Sequence, residues 1–153
     1  MSDDREKLLE EVLKERLVRL TKAIDSLRIA YERANGIGIK DQYNENELTV
    51  FDALTGRFIR ACDVLMAGVW GAFDKIEREE GGTFLDRINR AEKRGIISSA
   101  REFKDIRDLR NTIVHEYVIT EQQKLYQEVL RLTPLLLNAE RTAVEYRDKK
   151  LKF

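Results

Sequence analysis

Leu48-Thr49-Val50-Phe51-Asp52-Ala53-Leu54-Thr55-Gly56-Arg57-Phe58-Ile59-Arg60-Ala61-Cys62-Asp63-Val64-Leu65-Met66-Ala67-Gly68-Val69-Trp70-Gly71-Ala72-Phe73 decides the fold. Its large apolar residues, Leu48, Phe51, Leu54, Phe58, Cys62, Leu65, Met66, Val69, Trp70 and Phe73, recur in steps of three and four, which return a side chain to one helix face. A half-buried strand would alternate in steps of two. The spacing predicts a helix from about Glu47 to Ile76 carrying the richest apolar surface in the chain. Gly68 and Gly71 would let another helix come close, and simple packing explains them as well as a contact between two copies does.

The flanking segments read the same way. Ser2 or Asp3 can cap a first helix running to about Arg33, with Leu9, Val12, Leu13, Leu20, Ile24, Leu27 and Tyr31 on its buried face. Asn35-Gly36-Ile37-Gly38 ends it, and the polar stretch to Asn46 is a loop. Gly81-Gly82 breaks the second helix, Thr83 caps a short one to about Arg94, and Gly95 closes it. Ser99-Ala100-Arg101-Glu102 has the capping-box form and opens a fourth helix, and Thr120-Glu121-Gln122-Gln123 opens a fifth. The fourth should therefore stop between Tyr117 and Ile119. Pro134 lies inside the fifth, which is expected to kink and continue. The resulting fold class is all-α, an up-and-down bundle of four or five helices. One domain, residues 1–153, accounts for the length, with a basic tail at 149–153 expected to fray.

Composition narrows the function classes. Lys+Arg and Asp+Glu balance at 28 each, so nucleic acid binding would need a local patch rather than an overall field. The single Cys62 has no thiol partner in the chain and reads as a small core residue. No His/Cys cluster, Gly-rich phosphate loop or nucleophile elbow occurs, so neither a metal nor a cofactor is expected. The N-terminus is charged where a signal peptide would be apolar, and no apolar run reaches membrane-spanning length. A cytoplasmic chain without membrane contact is the expectation.

Arg110-Asn111-Thr112-Ile113-Val114-His115-Glu116-Tyr117 holds the only histidine. Any imidazole chemistry must run through it. Phe103, Ile106, Leu109 and Ile113 form the apolar stripe of its helix, with Arg110 at the stripe's edge. Arg110 has no carboxylate at ion-pairing spacing on its own helix, so a local salt bridge does not explain it, and a structural pairing with an acid on another helix is the alternative to a functional role. Arg110 and His115 lie about 140° apart around an ideal helix. They converge on one ligand only if the helix unwinds near His115 or a second copy of the chain supplies the partner. Asn111 shares a side with His115, and Tyr117 shares one with Arg110.

Arg-x4-His-x-Tyr with Asn directly after the arginine resembles the signature of the HEPN superfamily, and most closely that of the HepT-like toxins. The resemblance implies a metal-independent endoribonuclease that acts as a homodimer and pairs with a minimal nucleotidyltransferase antitoxin. That partner adds AMP to the motif tyrosine, here Tyr117, and silences the toxin. Arg110 and His115 would be catalytic under this reading, with Asn111 orienting the substrate. The chemistry suits the residue types. Cleavage without metal needs proton transfer at the 2′-hydroxyl and the leaving 5′-oxygen, which imidazole can supply, and stabilisation of the phosphorane, which guanidinium can supply.

Arg87, Arg90, Lys93 and Arg94 on the short helix, with Arg107 on the motif helix, are candidate RNA-phosphate contacts. Glu47 and Asp52 are both candidates for an acidic group that HEPN proteins often carry, and the sequence does not choose between them. The alternative, from another class, is a non-catalytic helical nucleotide- or partner-binding module of a nucleotidyltransferase complex.

Overall fold

The computed structural model describes residues 2–115 and 121–151, and all of the regular structure there is helical. The elements are α1 (Ser2–Ile37), α2 (Glu45–Cys62), a π-helical segment (Asp63–Val69), α3 (Trp70–Ile76), α4 (Phe84–Lys93), α5 (Ala100–His115) and α6 (Gln122–Lys150). Asp63 and Trp70, at the two junctions, keep right-handed helical dihedrals, so α2, the π segment and α3 form one continuous rod. Five helical rods result among the described residues.

Cross-element contacts fix their directions. Arg5 Nη2 donates to the Lys75 carbonyl at 2.8 Å, Arg16 Nη1 to Gly68 at 3.0 Å, and Arg57 Nη1 to Ser26 at 2.9 Å, so α1 runs antiparallel to the rod along its length. Trp70 meets Phe103 while Arg110 meets Asp63, so α5 is also antiparallel to the rod. Tyr126 stacks on Phe51 and Tyr146 donates to Glu77, so α6 runs parallel to it. The long elements therefore alternate up and down, with the short α4 between the second and third, in keeping with the helix spacing in the sequence.

Local chemistry sets the ends. Asn44 and Glu47 form a reciprocal capping box at the start of α2, and Thr83 and Asp86 form one at α4. Ser99 Oγ accepts from the Glu102 backbone N–H at 3.2 Å. Gly38, at φ +75°, turns the chain after α1, which runs four residues past the expected Arg33. Glu121 precedes α6 without a side-chain cap. Thr120, the cap expected there, lies outside the described residues, as do the expected stop of the motif helix and Tyr117. Pro134 sits inside α6, which continues to Lys150, so Lys149 and Lys150, expected to fray, are helical.

Leu20, Ile24, Leu27, Phe51, Leu54, Phe58, Val69, Trp70, Phe73, Ile106, Val129 and Leu136 are among the wholly buried core residues. Leu17, Ala23, Ala30 and Ala34 join them from α1, whereas the expected Leu9, Val12 and Tyr31 are only half-buried. The alanines do not stand out in the sequence because a small side chain gives a weak apolar signal, although it lets helices close up. Among the described residues, no helix is long and apolar enough to cross a membrane.

Candidate functional site

An aromatic contact and an ion pair hold the motif helix against the rod. Trp70 and Phe103 pack with ring centroids 5.3 Å apart near the start of α5. Ile106 is fully buried one turn on. Arg110 then reaches Asp63, the first residue of the π segment, through two parallel bonds, Nε to Oδ1 and Nη2 to Oδ2, both 3.0 Å. This fork-to-fork geometry fixes the plane of the guanidinium as well as its position. The hydrogen bonds to Asp63 outweigh desolvation and hold the Arg110 pKa above its ordinary value. Its remaining Nη1 lies 3.4 Å from Asn111 Oδ1.

A pocket of about 280 Å³ opens beside this pair, lined by Cys62, Asp63, Met66, Ala67, Phe84, Arg107, Arg110 and Asn111. It brings together Arg110, Asn111 and Arg107 of the sequence candidates. Cys62 is buried, as expected for a core residue, and that burial pushes its thiol pKa up, so it forms an uncharged part of the wall. His115 is not in the lining: it is exposed in the last described turn of α5. The divergence expected for Arg110 and His115 on one helix persists in the single chain.

The acidic group beside Arg110 is Asp63, which sequence reasoning did not single out. Glu47 is engaged instead in the α2 capping box and with Lys40 Nζ at 2.7 Å, and Asp52 is exposed on α2. Asp63 is flanked by apolar residues within the longest apolar run, where a single acid looks like an interruption of the stripe. Only its distance from Arg110, 47 positions away, gives it meaning.

The arginines of α4 and its C-terminal end converge on one carboxylate. Asp74 is buried on α3, and Arg87 Nε, Arg90 Nη2 and Arg94 Nη1 all bond to its carboxylate at 2.8–2.9 Å. Arg94 also bonds to Glu77. Burial alone would raise the Asp74 pKa, but hydrogen bonds from Arg90, Arg94 and Arg87 outweigh it and hold the carboxyl below the ordinary Asp value. Arg87, Arg90 and Arg94 thus tie α4 and its C-terminal end to α3 through Asp74, because a buried carboxylate must be matched by charge within the protein. Lys93 is exposed on the outer face of α4, and Arg107 keeps its place in the pocket.

The rod and α6 also pin the chain where it returns from the motif. Tyr126 stacks on Phe51 with centroids 4.0 Å apart and planes 8° from parallel, and Tyr43 meets both edge-on at 5.3 Å. Comparison with protein-family models, curated proteins and solved structures yields no match.

Proposed function

We propose that the chain is a metal-independent endoribonuclease of the HEPN type, the toxin half of a pair with a nucleotidyltransferase that modifies Tyr117 with AMP. The observation that carries the reading is the Arg110–Asp63 clamp at the mouth of a pocket, on the same helix as the chain's only imidazole. A guanidinium held in a fixed plane beside a cavity is suited to an anion that becomes more charged in the transition state. Arg110 retains N–H groups not directed at Asp63, and Asn111 adds an amide next to it. A twofold dimer would bring His115 of a second copy to this pocket and complete the proton-transfer machinery.

The test is cleavage of RNA by the purified chain in EDTA. Wild-type protein is expected to cut, while His115→Ala and Arg110→Ala lose at least about a hundredfold in rate, in line with removal of a general acid–base or an anion-stabilising donor. Full activity in His115→Ala rejects the mechanism. In the paired reaction, the nucleotidyltransferase with ATP should add AMP to the wild-type chain and not to Tyr117→Phe, read by mass spectrometry. The second reading, a binding module without catalysis, is favoured by His115 standing outside the pocket in one chain. It predicts no EDTA-resistant cleavage at any protein concentration.

A further inference from the structure

The pocket beside Arg110 has two unlike walls. Met66, Ala67 and Phe84, with Cys62 behind them, make one that is apolar. The other consists of Asp63, Arg107, Arg110 and Asn111. Asp63 engages two nitrogens of Arg110, whereas Arg107 has no carboxylate partner among the described residues. The Arg107 guanidinium carbon lies 5.4 Å from the centroid of the Phe84 ring, within cation–π range of its face. Arg87 approaches the same ring at 5.8 Å, with its own charge committed to Asp74.

These features select the occupant. A bare phosphate would use Arg107 and Arg110 and have no need of the ring or the apolar wall. A purely apolar ligand would leave Arg107 and Asn111 desolvated without partners. A nucleotide matches both walls, because its base has a stacking face and a polar edge and its phosphate is anionic. About 280 Å³ is room for one nucleotide, and a base can enter only if it is not paired within a duplex.

We propose that this pocket seats one unpaired nucleotide of an RNA strand, its base against the Phe84–Arg107 pair and over Met66 and Ala67, with the Asn111 amide at the base edge. The inference rests on the ribonuclease reading, which lays the strand across Arg110, and it makes the enzyme selective for single-stranded RNA.

Ala67 is exposed, so Ala67→Leu fills the pocket without disturbing the core. Fluorescence anisotropy with a short labelled 2′-O-methyl RNA, which cannot be cut through its 2′-position, separates binding from cleavage. The wild-type chain should bind the single strand more tightly than the same sequence in a duplex. Ala67→Leu and Arg107→Gln should each weaken single-strand binding about tenfold at unchanged helical content and melting temperature, as loss of a stacking platform or a phosphate contact does. Unchanged affinity in Ala67→Leu, equal binding of duplex, or displacement by free 5′-AMP at the oligonucleotide's own dissociation constant would each overturn the proposal. Cleavage of unmodified RNA in EDTA is read separately. If the chain never cuts but Ala67→Leu still abolishes single-strand preference, the pocket stands and the ribonuclease reading falls. If it cuts and Ala67→Leu binds normally, the reverse holds.

Discussion

Under the proposed ribonuclease reading, Arg110 and Asp63 would matter for activity and little for stability. Their side chains are 29% and 50% exposed, and ion pairs with that access to solvent contribute about 0–1 kcal/mol. Asp63→Asn is therefore expected to change the unfolding free energy by less than about 1 kcal/mol. If the chain is the proposed ribonuclease, RNA cleavage by this variant should fall at least about tenfold, because the guanidinium loses its fixed plane. Urea denaturation and EDTA-resistant cleavage, measured on the same preparation, check both halves. Asp74 is the opposite case. It is 1% exposed with three arginines on its oxygens, and Asp74→Asn should cost about 3–5 kcal/mol at neutral pH, the range for breaking a buried ion pair. The Asp74 pKa is lowered on folding, so its contribution is complete above the unfolded value of 3.8 and is lost as pH falls through the lower folded value. The difference between wild type and Asp74→Asn should thus shrink as denaturation is moved from pH 7 toward pH 3 and below. A difference that grows on acidification would contradict this assignment.

At the scale of elements, the π segment shapes the site. Its wider turn carries the i→i+5 pattern, seen where the Trp70 N–H bonds to the Leu65 carbonyl, and it rotates α3 around the rod axis relative to α2. Carbonyls within it accept side-chain donors, Gly68 from Arg16 and Met66 from Arg87, so neighbouring helices support the wide turn. Leu65, Met66 and Val69 stay buried through it, while Asp63 and Ala67 open toward the pocket. Neither Gly68 nor Gly71 marks a close helix crossing: a Cβ would meet only Arg16 at 3.9 Å in the first case and the Arg87 guanidinium at 3.6 Å in the second. Gly56 is simpler, being exposed inside α2 with nothing within 4 Å of a built Cβ. Gly56→Ala should stabilise the chain by about 0.5–1 kcal/mol through helix propensity alone, seen as a rise in denaturation midpoint at constant m-value. Gly82 differs again. At φ +79°, its Cβ would collide with the Asp86 carboxylate of the α4 capping box, so Gly82→Ala should lower the thermal midpoint.

For the whole molecule, the decisive question is whether one copy can act alone. Arg110 faces the pocket and His115 does not line it, so a composite site would take the guanidinium from one protomer and the imidazole from its partner. Mixing Arg110→Ala with His115→Ala tests this, because a heterodimer would then hold one site with both groups intact. Subunit exchange at equal amounts should restore about a quarter of wild-type cleavage from two inactive preparations, since half the dimers are mixed and each has one working site. No restoration, in a mixture shown to exchange, places both groups in one chain.

The sequence by itself determined the helical class, the division into rods and most of their ends, because periodicity, capping boxes and glycine stops act over a few residues. The octet was equally legible: its lone histidine, arginine and asparagine are local facts. What the tertiary structure decided was which charges meet. Arg87, Arg90 and Arg94 read as a basic strip on their own helix and became the sheath of Asp74, which belongs to another. Asp63 looked like a flaw in an apolar stripe and became the partner of Arg110. The π turn was hidden because the apolar residues through it recur in steps of three and four, the spacing of an ordinary α-helix. Charge pairing across a bundle depends on the rotation and register of whole helices, which packing sets over distances that no local pattern spans.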